Sequence, residues 1–280
     1  MAMNLKIFVK KIYIKWQRFY LQKIDNHFFF EVQLADHCNL NCVSCSHFSP
    51  IADEHFLDVD TYKKDCARFA ELAGKYVRRI HLMGGEPLLH KNIVDIMEIT
   101  RSNFKKSIII IVTNGILLDR MGAEFWDACK KNNIVISITQ YPININVKKI
   151  FEFAWQYGVN VGTKGNSYKV EFRKDVYDIE GKQNKKENFK KCGRSACHHL
   201  YEGKFYMCPI PVYIKYLNKY FSKGFEISTN DYIDIYKINN VKTLIKYLRK
   251  PIPFCRYCNI NVSDNNIRWR ISKKEVSEWI

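Results

Sequence analysis

The sequence predicts an α/β protein built on one parallel sheet, and three observations carry that prediction. Strand-like and helix-like stretches alternate at least five times between residues 28 and 163, the order a sheet with helices packed on it requires. One of those stretches, Ser107-Ile108-Ile109-Ile110-Ile111-Val112, is apolar on both faces, as buried parallel strands are. A hydrophobic content of 47% with 14% aromatic residues, over 280 residues, is more than enough for a packed core.

Residues 1–27 interleave Lys6, Lys10, Lys11, Lys15, Arg18 and Lys23 with a majority of apolar residues. A helix here is amphipathic on its Lys11, Lys15, Arg18 side. It either packs on the core or docks on a membrane surface, where glycan and lipid-linked substrates live. Phe28 to Leu34 reads as the first strand, and Asp60 as the N-cap of a helix that runs through Ala73 and stops at Gly74. The second strand covers Tyr76 to Leu82, and a helix follows from about Leu89 to Phe104. The strand through Ile108 to Val112 ends in Thr113-Asn114-Gly115. It is followed by a helix from Leu118 to Lys131, a strand from Ile134 to Thr139, a helix from Val147 to Tyr157 and a strand from Val159 to Val161.

Residues 164–191 change character. Lys164, Lys169, Arg173, Lys174, Lys182, Lys185, Lys186, Lys190 and Lys191 stand among acids with few large apolar residues, which reads as a polar connection. The division expected is therefore a basic segment at 1–27, the sheet domain at 28–163, and a linker with a small cysteine-rich domain at 164–280. Within the last part, Leu200 to Met207 reads as a hairpin turning at Glu202-Gly203.

Two motifs carry chemistry. Cys38, Cys42 and Cys45 stand at C-x3-C-x2-C just past the first strand, so one short loop can turn all three inward around a metal cluster. A tetrahedral structural zinc would need a fourth thiolate or imidazole, which the flanking His37 or His47 could supply. A [4Fe-4S] cube held by three thiolates leaves one iron open. The second motif, Met83-Gly84-Gly85-Glu86-Pro87, ends the second strand. Paired glycines there let backbone approach a ligand closely, and Glu86 supplies an acceptor.

In this order and spacing the two motifs resemble those of the radical S-adenosylmethionine (SAM) enzymes. The resemblance implies a partial (β/α)6 parallel barrel with its site at the carboxyl ends of the strands. Cys38, Cys42 and Cys45 would hold a [4Fe-4S] cluster whose fourth iron is chelated by SAM, and Gly84, Gly85 and Glu86 would bind the SAM amino group. Asn114 and Ser137, at or near strand ends, would contact its ribose or carboxylate, or else bond local backbone. The reaction implied is reductive cleavage of SAM to a 5′-deoxyadenosyl radical that abstracts hydrogen from a substrate, with an external flavodoxin or ferredoxin as electron donor. Ser44 departs from the family, which usually places an aromatic residue before the third cysteine to hold the adenine. Phe48 or His47 could fill that role.

Cys192 is followed after ten residues by Gly203 and after four more by Cys208, and Cys255-Arg256-Tyr257-Cys258 closes the set. This spacing resembles the twitch domain, the short form of the SPASM extension, which implies one auxiliary [4Fe-4S] cluster on Cys192, Cys208, Cys255 and Cys258. A four-cysteine zinc knuckle is the alternative. Of the ten cysteines, Cys66, Cys129 and Cys197 remain. Cys66 and Cys129 fall inside helices as small apolar residues. Cys197 could replace Cys192 as a ligand or donate a hydrogen atom to the substrate.

A formal charge of +17 fits an anionic partner or simply a solvated lysine-rich surface. No arginine-rich or RNP-like motif selects nucleic acid, and no run approaches the ~18 apolar residues of a spanning helix. Without a signal peptide, the cysteines read as those of a reducing cytoplasm, with peripheral contact at the inner membrane face through residues 1–27. The function expected is oxidation or epimerisation of a sugar phosphate or nucleotide-linked sugar, because a four-thiolate cluster can accept an electron but has no open iron for substrate. A peptide maturase and a non-enzymatic zinc-binding module are the other readings.

Overall fold

In the computed structural model the described residues are 28–163, 170–172, 174–261 and 267–280. The basic segment 1–27, with its membrane-docking reading, and Lys164, Lys169 and Arg173 of the polar connection lie outside them.

Eight strands form one open sheet. In chain order they include β1 (Phe28–Gln33), β2 (Val77–Met83), β3 (Ile108–Thr113), β4 (Ile134–Ile138) and β5 (Asn160–Thr163). A short β6 (Glu171–Phe172) lies apart and pairs with β10 (Ile267–Arg268). The hairpin β7 (His198–Tyr201) and β8 (Lys204–Tyr206), then β9 (Tyr232–Asp234), complete the main sheet. Its order is β5-β4-β3-β2-β1-β7-β8-β9. Every pairing from β5 to β7 is parallel, and those of β8 are antiparallel. This is the α/β partial barrel that the sequence predicts.

Three local details matter for the site. The hairpin turns at Glu202 and Gly203, both at positive φ (47° and 71°), the mirror-image turn that matches strand twist. The helix α1 (Val59–Ala73) is capped by Asp58, which accepts from Thr61 N at 2.8 Å, rather than by Asp60. Asp60 instead lies in the first turn, where its charge suits the helix dipole. And the sheet does not stop at residue 163: β7 pairs directly with β1, through Phe30↔His198 and Glu31↔His199, so the cysteine-rich part shares the sheet.

Helices α2 (Ile93–Asn103), α3 (Ala123–Lys131) and α4 (Val147–Tyr157) follow β2, β3 and β4 and continue the α1 layer over the sheet. Phe30, Val32 and Leu34 of the first strand region are fully buried, and Phe69 of α1 stacks on Phe205 at 4.5 Å. Burial of one such ring contributes about 1.5–3 kcal/mol. Cys66 in α1 and Cys129 in α3 are fully buried in this layer. The alternate residues, Glu31 and Gln33, point to the opposite, inner face. A second apolar cluster covers the cysteine-rich end. It joins Phe48 and Ile51 to α6 (Ile210–Phe221) and to the turn Pro253–Tyr257. The remaining helices are α5 (Lys185–Lys191) and α7 (Val241–Leu248). Among the described residues no helix is long and apolar enough to cross a membrane.

Candidate active site

Beyond β1 the backbone keeps pairing with the end of β2. Leu34 N donates to Met83 O, Gly85 N to Ala35 O (both 2.7 Å) and Glu86 N to His37 O (3.1 Å). The two glycines exist for this closeness. A Cβ on Gly84, whose φ is 152°, would lie 2.4 Å from Ala35 O, and one on Gly85 would lie 2.0 Å from His37 O. So the Gly-Gly-Glu turn fixes the stretch that leads into Cys38. Left-handed φ at Asn41, Ser44 and Phe48 (52°, 51° and 55°) then curls Cys38, Cys42 and Cys45 around one loop.

Three thiols on one loop are the donor number of an iron-sulfur cube with one open iron, whereas a structural zinc takes four ligands. Burial, with the charges of Glu86, Cys45 and Cys42 added, pushes the Cys38 thiol up to about 12, so a thiolate there needs a cationic centre beside it.

Segment 267–280 lies over this loop like a clasp. Val43 N donates to Arg270 O (3.0 Å), Ser272 N to Asn41 O (2.8 Å), and Trp279 Nε1 to Cys45 O (3.0 Å). Trp269 Nε1 donates to Cys42 Sγ at 3.2 Å. The Ser44 hydroxyl donates to Glu278 O at 2.7 Å, and Phe48 is fully buried near Tyr177 and Trp279, so neither presents itself to a ligand. The aromatic residues at the loop are instead Tyr141 and Trp269, 6.3 Å apart and packed with Cys38 and Cys42. Sequence reading found neither, because both lie on segments distant in the chain.

Glu86 is fully buried. It accepts from Leu88 N (3.1 Å), Thr113 Oγ1 (2.7 Å) and Asn114 N (2.9 Å), and burial still raises its carboxyl to about 7. Its side chain ties the end of β2 to the end of β3 rather than facing outward. Asn114 donates to Asn39 Oδ1 (2.7 Å) and points its amide at Cys38 Sγ (3.7 Å), which brings it to the cysteine loop. Ser137 lies on β4 opposite the buried Ile136 and Ile138, paired with Val112 and Gly162.

The later cysteines also converge. Cys192 ends α5, Cys208 follows β8, Cys255 lies in the Pro253–Tyr257 turn and Cys258 caps it. A cavity of about 220 Å³ is lined by Cys192, Cys208, Cys258, Tyr177, Asp175 and Arg194. Burial raises the Cys208 thiol well above its ordinary value, and the charges of Cys192, Cys258 and Cys255 add to the rise. Asn188 holds the turn by donating to the carbonyls of Cys255 (2.9 Å) and Cys258. Arg194 pairs with Asp175 at 2.6 Å, and its N–H donates to Cys192 Sγ at 3.3 Å. No sequence signal marked Asp175 or Arg194. Cys197 sits one residue before β7, half-buried, and does not line this cavity.

The site is thus an open, mostly parallel sheet with a three-cysteine loop after its first strand and a glycine-paired turn after its second. Residues 32–154, under half of the chain, match the model of the radical SAM superfamily. Among curated relatives, GTP 3′,8-cyclase of Chlorobaculum tepidum is 37% identical over 89 residues, 32% of this chain and 26% of that protein. That of Synechocystis is 35% identical over 109 residues, 37% of this chain and 30% of that protein. The matches thus span under a third of those relatives' lengths. The solved structure of BtrN in complex with AdoMet and 2-DOIA, at 18% identity, covers 83% of this chain and 93% of its own with a TM-score of 0.52. The fold is shared.

Proposed function

We propose that this chain is a radical SAM enzyme that carries out a two-electron oxidation of a small anionic substrate, a sugar phosphate or nucleotide-linked sugar. The observation that carries the reading is that Cys192, Cys208 and Cys258 line one cavity and that Cys192, Cys258 and Cys255 all lie close enough for their charges to act on the Cys208 thiol, which supports a full complement of thiolates for a second [4Fe-4S] cluster. When bound, the two centres supply SAM cleavage at Cys38, Cys42 and Cys45 and an electron acceptor at the later set. The chain's own part is to hold and orient. Gly84 and Gly85 bring backbone against the cysteine loop, Asn114 positions Cys38 through its amide, and Glu86 stiffens the two strand ends.

The charge of +17 supports an anionic substrate. The relatives are named for a nucleotide, GTP, but a match to under a third of their length carries over neither their cyclisation nor their substrate. Cys192, which lines the cavity and whose charge acts on the Cys208 thiol, is favoured over Cys197 as the ligand.

The test is turnover of anaerobically reconstituted protein, reduced by a flavodoxin or ferredoxin, with a panel of sugar phosphates and nucleotide sugars in deuterium oxide. A keto product formed one for one with 5′-deoxyadenosine, without solvent deuterium, is the expected outcome. Deuterium at the reacting carbon that disappears in Cys197→Ala would establish epimerisation instead.

A further inference from the structure

The inner face of the sheet holds a cluster that the cysteine chemistry does not use. On adjacent parallel strands, Glu31 of β1 is in register with His81 of β2 and with His199 of β7, so all three side chains project to the same side. Glu31 Oε2 lies 3.2 Å from His199 Nδ1, and Oε1 lies 3.8 Å from His81 Nδ1. His47, two residues past Cys45, reaches the same spot from the cysteine loop. One ligand atom each from Glu31, His47 and His199 lies within 4.8 Å of the others.

We propose that Glu31, His47 and His199 form a binding site for a divalent transition-metal cation, zinc or iron(II). Two imidazoles and one carboxylate are a donor set that such cations take with coordination positions left open. His199 is fully buried, and its Nε2 has no hydrogen-bond partner. An imidazole nitrogen is seldom buried without either a partner or a metal. Glu31 is buried beside these imidazoles, and an ionised carboxylate in such a place needs a cation close by. Tyr213 packs on both His47 and His199 with ring centroids 5.4 Å away, and its buried hydroxyl also has no partner.

The position is informative. His47 comes from the loop of the first cysteine set, and Tyr213 from α6, which begins two residues after Cys208. The cation sits between the two cysteine sets, where its open position takes a hydroxyl or oxyanion of the substrate, with the Tyr213 hydroxyl within the same space. The site contains no thiol, so it stands or falls independently of the iron-sulfur assignment.

The experiment is zinc uptake by the fully iron-loaded protein, given one equivalent and desalted, read by metal analysis and by zinc-edge X-ray absorption, to which iron is silent. About one zinc per chain in a shell of nitrogen and oxygen is expected. It should be lost in Glu31→Gln and His199→Ala and kept in His81→Gln, with iron content unchanged in all three. Glu31→Gln preserves volume, so its loss of zinc at normal iron loading separates ligation from misfolding. Zinc absent from the wild type at full iron loading, bound through sulfur, or equally retained by Glu31→Gln would overturn the site in favour of a buried imidazolium–carboxylate pair.

Discussion

The indole of Trp269 donates its N–H to the sulfur of Cys42 at 3.2 Å, although 227 positions separate the two residues. A hydrogen bond to a cluster sulfur stabilises the reduced, more negative state and so raises its reduction potential. Trp269→Phe keeps the ring packing and removes the donor. The first cluster of that variant should titrate at a more negative potential than the wild type in a redox titration followed by electron paramagnetic resonance, while the later cluster keeps its potential. An unchanged potential would mean that Trp269 only packs.

Gly85 predicts a steric result. A methyl group there would stand 2.0 Å from His37 O and 2.4 Å from His37 C, and both are backbone atoms that cannot swing aside. Gly85→Ala should therefore push the 34–37 stretch away from the turn, at a cost of about 1–3 kcal/mol or more as overpacking. Because that stretch delivers Cys38, iron bound by the first set and 5′-deoxyadenosine formation should fall together. Gly122→Ala, where an added Cβ meets nothing within 4 Å, is the control and should leave both intact.

Glu86 makes a prediction in pH. Its folded carboxyl, raised to about 7 from 4.5 by burial, binds its proton more tightly than in the unfolded chain. The folded state then holds more protons between those values, so this group's contribution to stability is fully present below about 4.5 and is lost as pH rises through about 7. Glu86→Gln cannot titrate. The difference in melting temperature between wild type and Glu86→Gln should therefore move in favour of the variant as pH goes from 5 to 8. A difference independent of pH would show that the three hydrogen bonds to Glu86 fully offset its burial.

Much of this could be read from residue order. Alternation of strand and helix between 28 and 163 follows from hydrophobic period, and the cysteine sets from spacing, because both are local properties of the chain. What stayed hidden depends on which strands become neighbours. β1 sits between β2 and β7, and only that arrangement sets Glu31 beside both His81 and His199. Likewise Ser44 looked like a missing adenine contact until its hydroxyl was found on Glu278 O, 234 positions away. Asp58 displaced Asp60 as a cap by two residues, within the ordinary uncertainty of helix ends.

The ligand set of the proposed second cluster is the remaining point on which the reaction class turns. Cys192 and Cys197 are close in sequence, and spacing alone favours neither strongly. The structure separates them: Cys192 lines the cavity shared with Cys208 and Cys258, whereas Cys197 lies in the turn that leads into β7, its N–H donating to Arg194 O at 2.9 Å. The Cys192 sulfur accepts from Arg194 N, the kind of backbone donor that commonly stabilises a thiolate ligand. Reconstituted wild type should bind about eight irons per chain, and Cys192→Ala about four, with SAM cleavage retained because the first set is untouched. Cys197→Ala should keep all of them. If Cys197→Ala instead loses half the iron while Cys192→Ala does not, the ligand is Cys197. A thiol at position 192 would then stand beside a cluster held by Cys197, Cys208, Cys255 and Cys258, and the hydrogen-donor role would pass to it.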